Sequence, residues 1–390
     1  MSMGPYDHAL LQSLLGAWAL AACSPEETAA VEAHLTDCGT CAEEALRLRD
    51  AVTMLHPQEG LDLAPTLRAR VLDFARLRRR PQVPVPGWAA AYDAETARLD
   101  ALLEDMGESE WAAPVTLTWY DGDATATRET SVAGVIGHLV AVDGLPALAL
   151  GLPDPLRLGG GPPGAPLTSP VERTEAIWKQ AGSEHRVQQA LTPEMRRRHA
   201  GTVRGVWRDQ NYQLIRRASY GAATVADLNV PYGPGLALPM RDAYADRAFE
   251  TWVHASDIAD AVAYPYDDPE PRHLHRLIDL AVRLLPGALA DRRRAGRADP
   301  PAELLPAGEE GRSLHLEIEG EGGGDWFIPL DSPAAAASRK GEVAHVALEA
   351  AEFCRIAAGH RAPEEAAAGS DGDRRAVREV LYAAASLSRL

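Results

Sequence analysis

Apolar residues recur at helical spacing along most of this chain. Over 7–22, Leu10, Leu11, Leu14, Leu15 and Trp18 fall three and four apart, on one face of a helix. Ser24-Pro25-Glu26-Glu27 then supplies an N-cap serine, a proline at the first helical position and a glutamate at the third, a capping box that starts a second helix. A third helix is expected over 41–55. After a polar gap, Leu67, Val71, Phe74 and Ala75 make a narrow apolar stripe on a basic helix, and the Pro-rich 81–86 reads as a stiff linker. Helical spacing resumes with Trp88, Tyr92, Leu99, Leu102 and Leu103, where Thr96 is the one polar residue in the stripe. Periodicity is lost between Val115 and Thr127 as Asp and Gly enter, so a loop is expected there. Further helices are expected from about 131, over 171–189, across 249–257, and from His273, with Leu277, Ile278, Ala281 and Leu284 as the last one's buried stripe. Between them, 152–166 is a Gly- and Pro-rich connection, and 212–240, with Pro231-Tyr232-Gly233-Pro234-Gly235, reads as a long irregular segment of the kind that walls a pocket.

Beyond 291–305 the period changes from helical to alternating. Leu314, Leu316 and Ile318 alternate with His315, Glu317 and Glu319, a half-buried strand; Glu321-Gly322-Gly323-Gly324 is the turn and Asp325-Trp326-Phe327-Ile328 the returning strand. A third strand over 343–348 leads into a helix over 350–358 that Gly359 caps. The pattern predicts a multi-domain protein: a small all-α module over 1–80, a linker over 81–86, a helical bundle over 87–290, a linker over 291–305 and an α+β domain over 306–390.

A length of 390 residues with 46% hydrophobic content leaves room for that many cores. The formal net charge of −17 argues against nucleic acid as a direct partner, because phosphate contacts need clustered Lys and Arg. No apolar run reaches the ~18 residues that cross a bilayer; the longest, near 145–152, is interrupted by Pro146 and Pro153. Residues 1–7 lack a basic stretch before an apolar one, so no secretory signal is read, and a cytoplasmic protein without a membrane partner is expected. Four cysteines are too few for a disulfide scaffold, and Cys38-x-x-Cys41 reads as metal or redox chemistry.

His34-x3-Cys38-x2-Cys41 offers three zinc ligands at close spacing, and a closed structural site takes a fourth, for which His8 is the candidate. With Leu15-Gly16-Ala17-Trp18-Ala19-Leu20 ahead of Pro25-Glu26-Glu27, this arrangement resembles the zinc-binding anti-sigma domain. The resemblance implies a structural zinc, a sigma factor of extracytoplasmic-function type as partner, and a helix at 67–77 that packs on it; by its own residues that helix equally well folds back on the first three. Cys23 reads as a small residue at a helix end, or as a redox partner of Cys38 or Cys41 whose oxidation releases the metal.

A second constellation lies further on. Glu250 and His254 stand one helical turn apart on the same face, and His138, from another helix, completes a set of two imidazoles and a carboxylate that suits zinc or another divalent metal and leaves a coordination position open. Asp143 and Asp257 are placed to orient the imidazoles or to serve as surface and capping residues. His273 and His275 flank Leu274 on different faces and are not counted as ligands. Glu110-Trp111-Ala112-Ala113-Pro114, Val135-Ile136-Gly137-His138-Leu139 and Ala248-Phe249-Glu250-Thr251-Trp252-Val253-His254 together resemble the mycothiol-dependent maleylpyruvate isomerase family, a branch of the DinB-like four-helix metalloproteins. Trp119-Tyr120-Asp121-Gly122-Asp123 stands where that family has a Pro-Gly-Trp segment. Ala351-Glu352-Phe353-Cys354-Arg355-Ile356-Ala357-Ala358-Gly359-His360-Arg361 resembles the sterol-carrier-like domain that follows the bundle there, which implies a catalytic arginine: Arg355 first, Arg361 next, although either serves equally as a surface charge. Mycothiol is the small thiol the resemblance implies, and Arg196-Arg197-Arg198-His199 is either a solvated face or a contact for such an anionic cofactor.

Two functions follow. In the first, the protein is an anti-sigma regulator of transcription whose isomerase-like portion senses a thiol or other small ligand. The alternative is a mycothiol-dependent metalloenzyme, an isomerase or thiol transferase, with an accessory zinc module.

Overall fold

A computed structural model describes residues 6–55, 67–68, 70–71, 84–154, 167–188, 193–233, 235–366 and 369–388. The chain divides into two compact units, Met1–Gln82 and Val83–Leu390. Most of the basic helix expected over 67–77 and the Pro-rich stretch at 81–83 lie outside the described residues, as does 155–166 of the Gly/Pro connection.

The described part of the first unit is built on three helices, α1 (His8–Ala19), α2 (Pro25–Asp37) and α3 (Gly39–Leu55). Asp7 caps α1 by accepting the Leu10 amide at 2.9 Å. The capping box at α2 is complete: Ser24 Oγ accepts the Glu27 amide at 3.3 Å and Glu27 accepts the Ser24 amide at 2.8 Å. Among the described residues the buried core is Leu11, Leu15, Val31, Cys41 and Ala45, with Trp18 and Leu14 packed at its edge.

The second unit opens with α4 (Ala90–Asp105), whose Tyr92, Thr96, Leu99, Leu102 and Leu103 are all buried. Where a loop was expected over 115–127 there is an antiparallel hairpin, β1 (Pro114–Asp121) and β2 (Ala124–Ser131), turning at Gly122 with φ 73°. Strand β1 buries Val115, Leu117 and Tyr120, but β2 is made of Ala, Thr, Ser and charged residues with none of them buried, so its pairing is set by β1 and not by a pattern of its own.

Helix α5 (Val132–Ala149) follows and carries almost no polar face, because nearly every residue from Val132 to Ala147 is buried. This corrects the expectation that no apolar run is long enough for a bilayer: Pro146 lies within the helix, and its 18 residues have a mean hydropathy of 1.7 and are 72% buried inside the protein. Helices α6 (Pro170–Gln188), α7 (Pro193–Tyr220) and α8 (Met240–Val262) surround it. Over 212–240 the chain is more regular than expected: α7 continues to Tyr220, and β3 (Asn229–Pro231) pairs with β4 (Ala237–Pro239).

The α5–α6 contact is fixed by Arg173, a fully buried cation on α6. Its guanidinium pairs with Asp154 (Nη2–Oδ1 2.7 Å) and donates to the Leu167 carbonyl at 3.1 Å and to the Ala141 carbonyl. Gly144 makes room for it, since a Cβ there would lie 2.0 Å from Arg173 Nη2.

Helix α9 (Pro271–Arg294) packs on α8 with one face and on the C-terminal part with the other. That part is a sheet in the order β6 (Gly324–Pro329), β5 (Ser313–Glu319), β7 (Glu342–Glu349), β8 (Ser370–Gly372), with α10 (Ala350–Ala357) and α11 (Arg374–Ala385) against it. Strands β5 and β7 run parallel and the other pairs antiparallel. One apolar core runs from Leu214 and Tyr244 through Leu277 and Leu285 to Leu316, Val346 and Leu381. Gly359, at φ 78°, brings the chain after α10 against the hairpin, where a Cβ would lie 2.8 Å from the Trp119 backbone.

Asp154→Ala leaves the Arg173 charge buried without its carboxylate, so a loss of about 3–5 kcal/mol is expected in denaturant unfolding of this unit. The double replacement Asp154→Leu with Arg173→Met is expected to recover most of it. Equal instability of the single and double variants would show that the ion pair is not what holds α6 in place.

Candidate metal centres

The first centre forms where α1, α2 and α3 meet. His8 is in the opening turn of α1, His34 in the last turn of α2, Cys38 at its C-cap and Cys41 in the first turn of α3. The four side chains bring one ligand atom each to within 4.8 Å of one another. His8 Nδ1 and His34 Nε2 are 3.1 Å apart, and the rings meet edge to face. The Thr40 hydroxyl, 3.3 Å from Cys38 Sγ, and the Cys41 amide lower the Cys38 pKa, favouring the thiolate a metal needs. Cys23 is not in this group; its thiol rests 3.8 Å from the Leu14 carbonyl.

The second centre lies inside the Val83–Leu390 unit. Glu250 Oε2 is 3.5 Å from His138 Nε2 and 3.3 Å from His254 Nε2. Tetrahedral zinc, with bonds of about 2.0–2.1 Å, holds neighbouring nitrogen and oxygen ligands about 3.3 Å apart. His138 Nε2 is buried with no hydrogen-bond partner, so its lone pair is free for an ion; the donor set and its spacing therefore fit one. Each imidazole is oriented through its other nitrogen. His254 Nδ1 donates to Asp257 Oδ2 at 2.8 Å, and His138 Nδ1 bonds Thr174 Oγ1 at 2.8 Å. Trp178 lies beside the His138 ring and donates to the Gly134 carbonyl at 3.2 Å.

Burial pushes the His138 ring down to about 4. At His254 burial also opposes charge, but the Asp257 and Glu250 carboxylates outweigh it and hold the ring at about 9. For Glu250, burial is overridden by Arg247 and the two imidazoles, which keep its carboxyl well below the usual range. Arg247 is itself fully buried, 2.7 Å from Asp246 and 3.5 Å from Glu250 Oε1, leaving Oε2 to face the imidazoles.

Asp143 does not orient either imidazole. It accepts the Tyr92 hydroxyl at 3.0 Å in a buried group that includes Asn211, and burial pushes its carboxyl up to about 7. Thr174 and Arg247 were not read from the sequence. Arg247 had a signal, the i,i+3 spacing to Glu250 on the same helix; Thr174 comes from a separate helix and had none.

Above Glu250 and His254 is a cavity. Phe249 and Val253 of α8, the α9 stripe, and Ala357 and Ala358 at the end of α10 wall it. Arg355 is exposed on α10 and is not among the lining residues, and Arg361 pairs with Glu352 at 3.1 Å. From this part of the chain it is His360 that approaches the centre, with Nε2 3.5 Å from Asp257 Oδ1. His273 is buried and is in neither group of candidate ligands among the described residues. The side chains of Arg196, Arg197, Arg198 and His199 lie outside the described residues.

Residues 11–42 match the family described as "Putative zinc-finger", a zinc-finger of the anti-sigma factor type; the match includes His34, Cys38 and Cys41 and begins after His8. No curated protein matches the sequence. Two solved structures of a mycothiol-dependent maleylpyruvate isomerase are similar in fold. One, a point mutant, is 13% identical over 70% of this chain and 89% of that one, with a TM-score of 0.36. The other is 14% identical over 74% and 92%, also with a TM-score of 0.36.

Metal analysis of the purified chain is expected to give two zinc equivalents, falling to one in Cys38→Ala and to one in His254→Ala. Asp257→Asn and Thr174→Val, which leave the ligands in place, are expected to weaken the second site by about 10–100-fold in a chelator competition. Wild-type affinity in both would remove the orienting role assigned to these residues.

Proposed function

We propose that this protein is an anti-sigma regulator. The Met1–Gln82 unit holds a structural zinc on His8, His34, Cys38 and Cys41 and binds a sigma factor, of the extracytoplasmic-function type, in the cytoplasm. The observation that carries this reading is the convergence of four ligand atoms within 4.8 Å in a unit whose described core is five buried residues. So small a core contributes little stability, and a bound metal supplies the remainder. The same unit leaves Leu46 65%, Met54 84% and Leu55 74% exposed on α3, apolar surface of the kind a protein partner covers. The family match at residues 11–42 supports the same partner.

In this reading the Val83–Leu390 unit, a DinB-like bundle followed by a sterol-carrier-like domain, holds zinc or another divalent ion on His138, Glu250 and His254 and receives a small ligand beside it. When bound, such an ion lowers the pKa of a coordinated thiol or water. For the ligand to act as a signal it must bind one of the two states, sigma-bound or free, more tightly than the other.

The cavity over the second centre favours a second reading, a mycothiol-dependent metalloenzyme of isomerase or transferase type, with the zinc module as an accessory. Co-purification with a sigma factor that is lost in Cys38→Ala and retained in His254→Ala is expected for the regulator. Turnover of an unsaturated diacid with mycothiol, lost in His254→Ala and unaffected by Cys38→Ala, is the outcome the enzyme requires. A chain that captures no sigma factor in its zinc-loaded form overturns the first reading.

A further inference from the structure

The cavity walls say what kind of molecule the second centre accepts. Leu277, Leu280, Ala281 and Leu284 line one side and Phe249 and Val253 another, so most of the enclosed surface is hydrocarbon. Among the described residues no Lys or Arg lines it; of the titratable groups that do, Asp246 and Glu250 are acidic and His254 is a candidate metal ligand. Arg247 is fully buried and is not among the lining residues; its Nη2 lies 2.7 and 3.5 Å from these two carboxylates, while its Nη1 has no hydrogen-bond partner.

One polar side chain at the rim is already committed. Ser388 Oγ accepts the Tyr120 amide at 2.9 Å and donates to the Ala385 carbonyl at 2.6 Å. Asp257, behind His254, is occupied by His254 and His360. Counting formal charges, a divalent ion and Arg247 balance Glu250, Asp246 and Asp257, and the centre is neutral before any ligand enters. A dicarboxylate would bring in a second negative charge that meets no Lys or Arg among the described lining residues and would have to be desolvated beside Asp246 and Glu250. An apolar body loses nothing polar on entering and gains the burial of its hydrocarbon, about 25 cal/mol for each Å² removed from water.

Building on the reading of His138, Glu250 and His254 as an open metal site, we infer that this cavity takes an apolar small molecule held by a single metal-coordinating head, a thiol or hydroxyl, and discriminates against dicarboxylates. Phenylmethanethiol and mercaptosuccinate carry the same metal-binding atom on an apolar and a dianionic body, and because the α-carboxylate of mercaptosuccinate can also chelate the ion, a preference for phenylmethanethiol is attributable to the walls.

The test is calorimetric titration of the full chain, zinc-saturated at both sites, with each thiol. Phenylmethanethiol is expected to bind at least about tenfold more tightly, with the negative heat-capacity change of apolar burial. Leu284→Arg, which places a cation on a partly exposed wall position, is expected to reverse the preference. A wild-type protein that binds mercaptosuccinate as tightly as phenylmethanethiol overturns the inference even where the variant fails to fold. Zinc content serves as the separate control. If it falls by one equivalent in His254→Ala and the preference is absent, the inference alone fails; if His254→Ala keeps both equivalents, the metal reading fails and the inference goes with it.

Discussion

A carboxylate buried between two imidazole nitrogens imposes a charge and hydrogen-bond balance on everything near it. Glu250 meets that demand with Oε1 toward Arg247 and Oε2 toward His138 and His254, so the two oxygens are not interchangeable. Each imidazole in turn needs its far nitrogen occupied, and this brings in Asp257 one turn along α8 and Thr174 from α6. Thr174 is in position because the adjacent Arg173 is clamped between Asp154 and the α5 backbone, over a glycine that leaves space for it. The buried ion pair contributes little net stability. Its effect is on register, since a slip of α6 along α5 would strand both Arg173 and His138.

The Met1–Gln82 unit meets a different constraint. Its helices are short, its described core is five buried residues, and its candidate ligands come from α1, α2 and α3 together. A metal there acts as the crosslink that a larger hydrophobic interior would otherwise replace. In the Val83–Leu390 unit the order is inverted: an extensive apolar core runs through the bundle and the sheet, and that rigidity holds the ligands. One site stabilises its fold, and the other is held in place by its fold.

Much of this was legible in the sequence, and the parts that were not have definite causes. The capping box, the ligand spacing of His34, Cys38 and Cys41, and the i,i+4 pair Glu250 and His254 are local signals, and each has the geometry its spacing implies. Helix α5 could be placed but its length was misjudged, because a helix buried on all sides has no periodicity and Pro146 suggested a break. Strand β2 was hidden because its Ala and Thr residues carry no inward pattern and pair only because β1 is there. Strand β8 and helix α11 were not read at all. Arg247 was visible in principle at the i,i+3 position before Glu250. Thr174, His360 and the cavity walls depend on which elements meet in space, and no spacing along the chain encodes that.

Helix α9 belongs to two neighbourhoods at once, one face set on α8 and the other on the sheet-bearing part, with its apolar stripe walling the cavity between them. The sheet-bearing segment is thus not a detachable attachment to the bundle. Severing the chain in the stretch just after α9 would lay bare a hydrophobic flank of that helix and unroof the chamber beside Glu250 and His254. The bundle and the sheet are therefore one body of packing, Val83–Leu390, with α9 as the member they share.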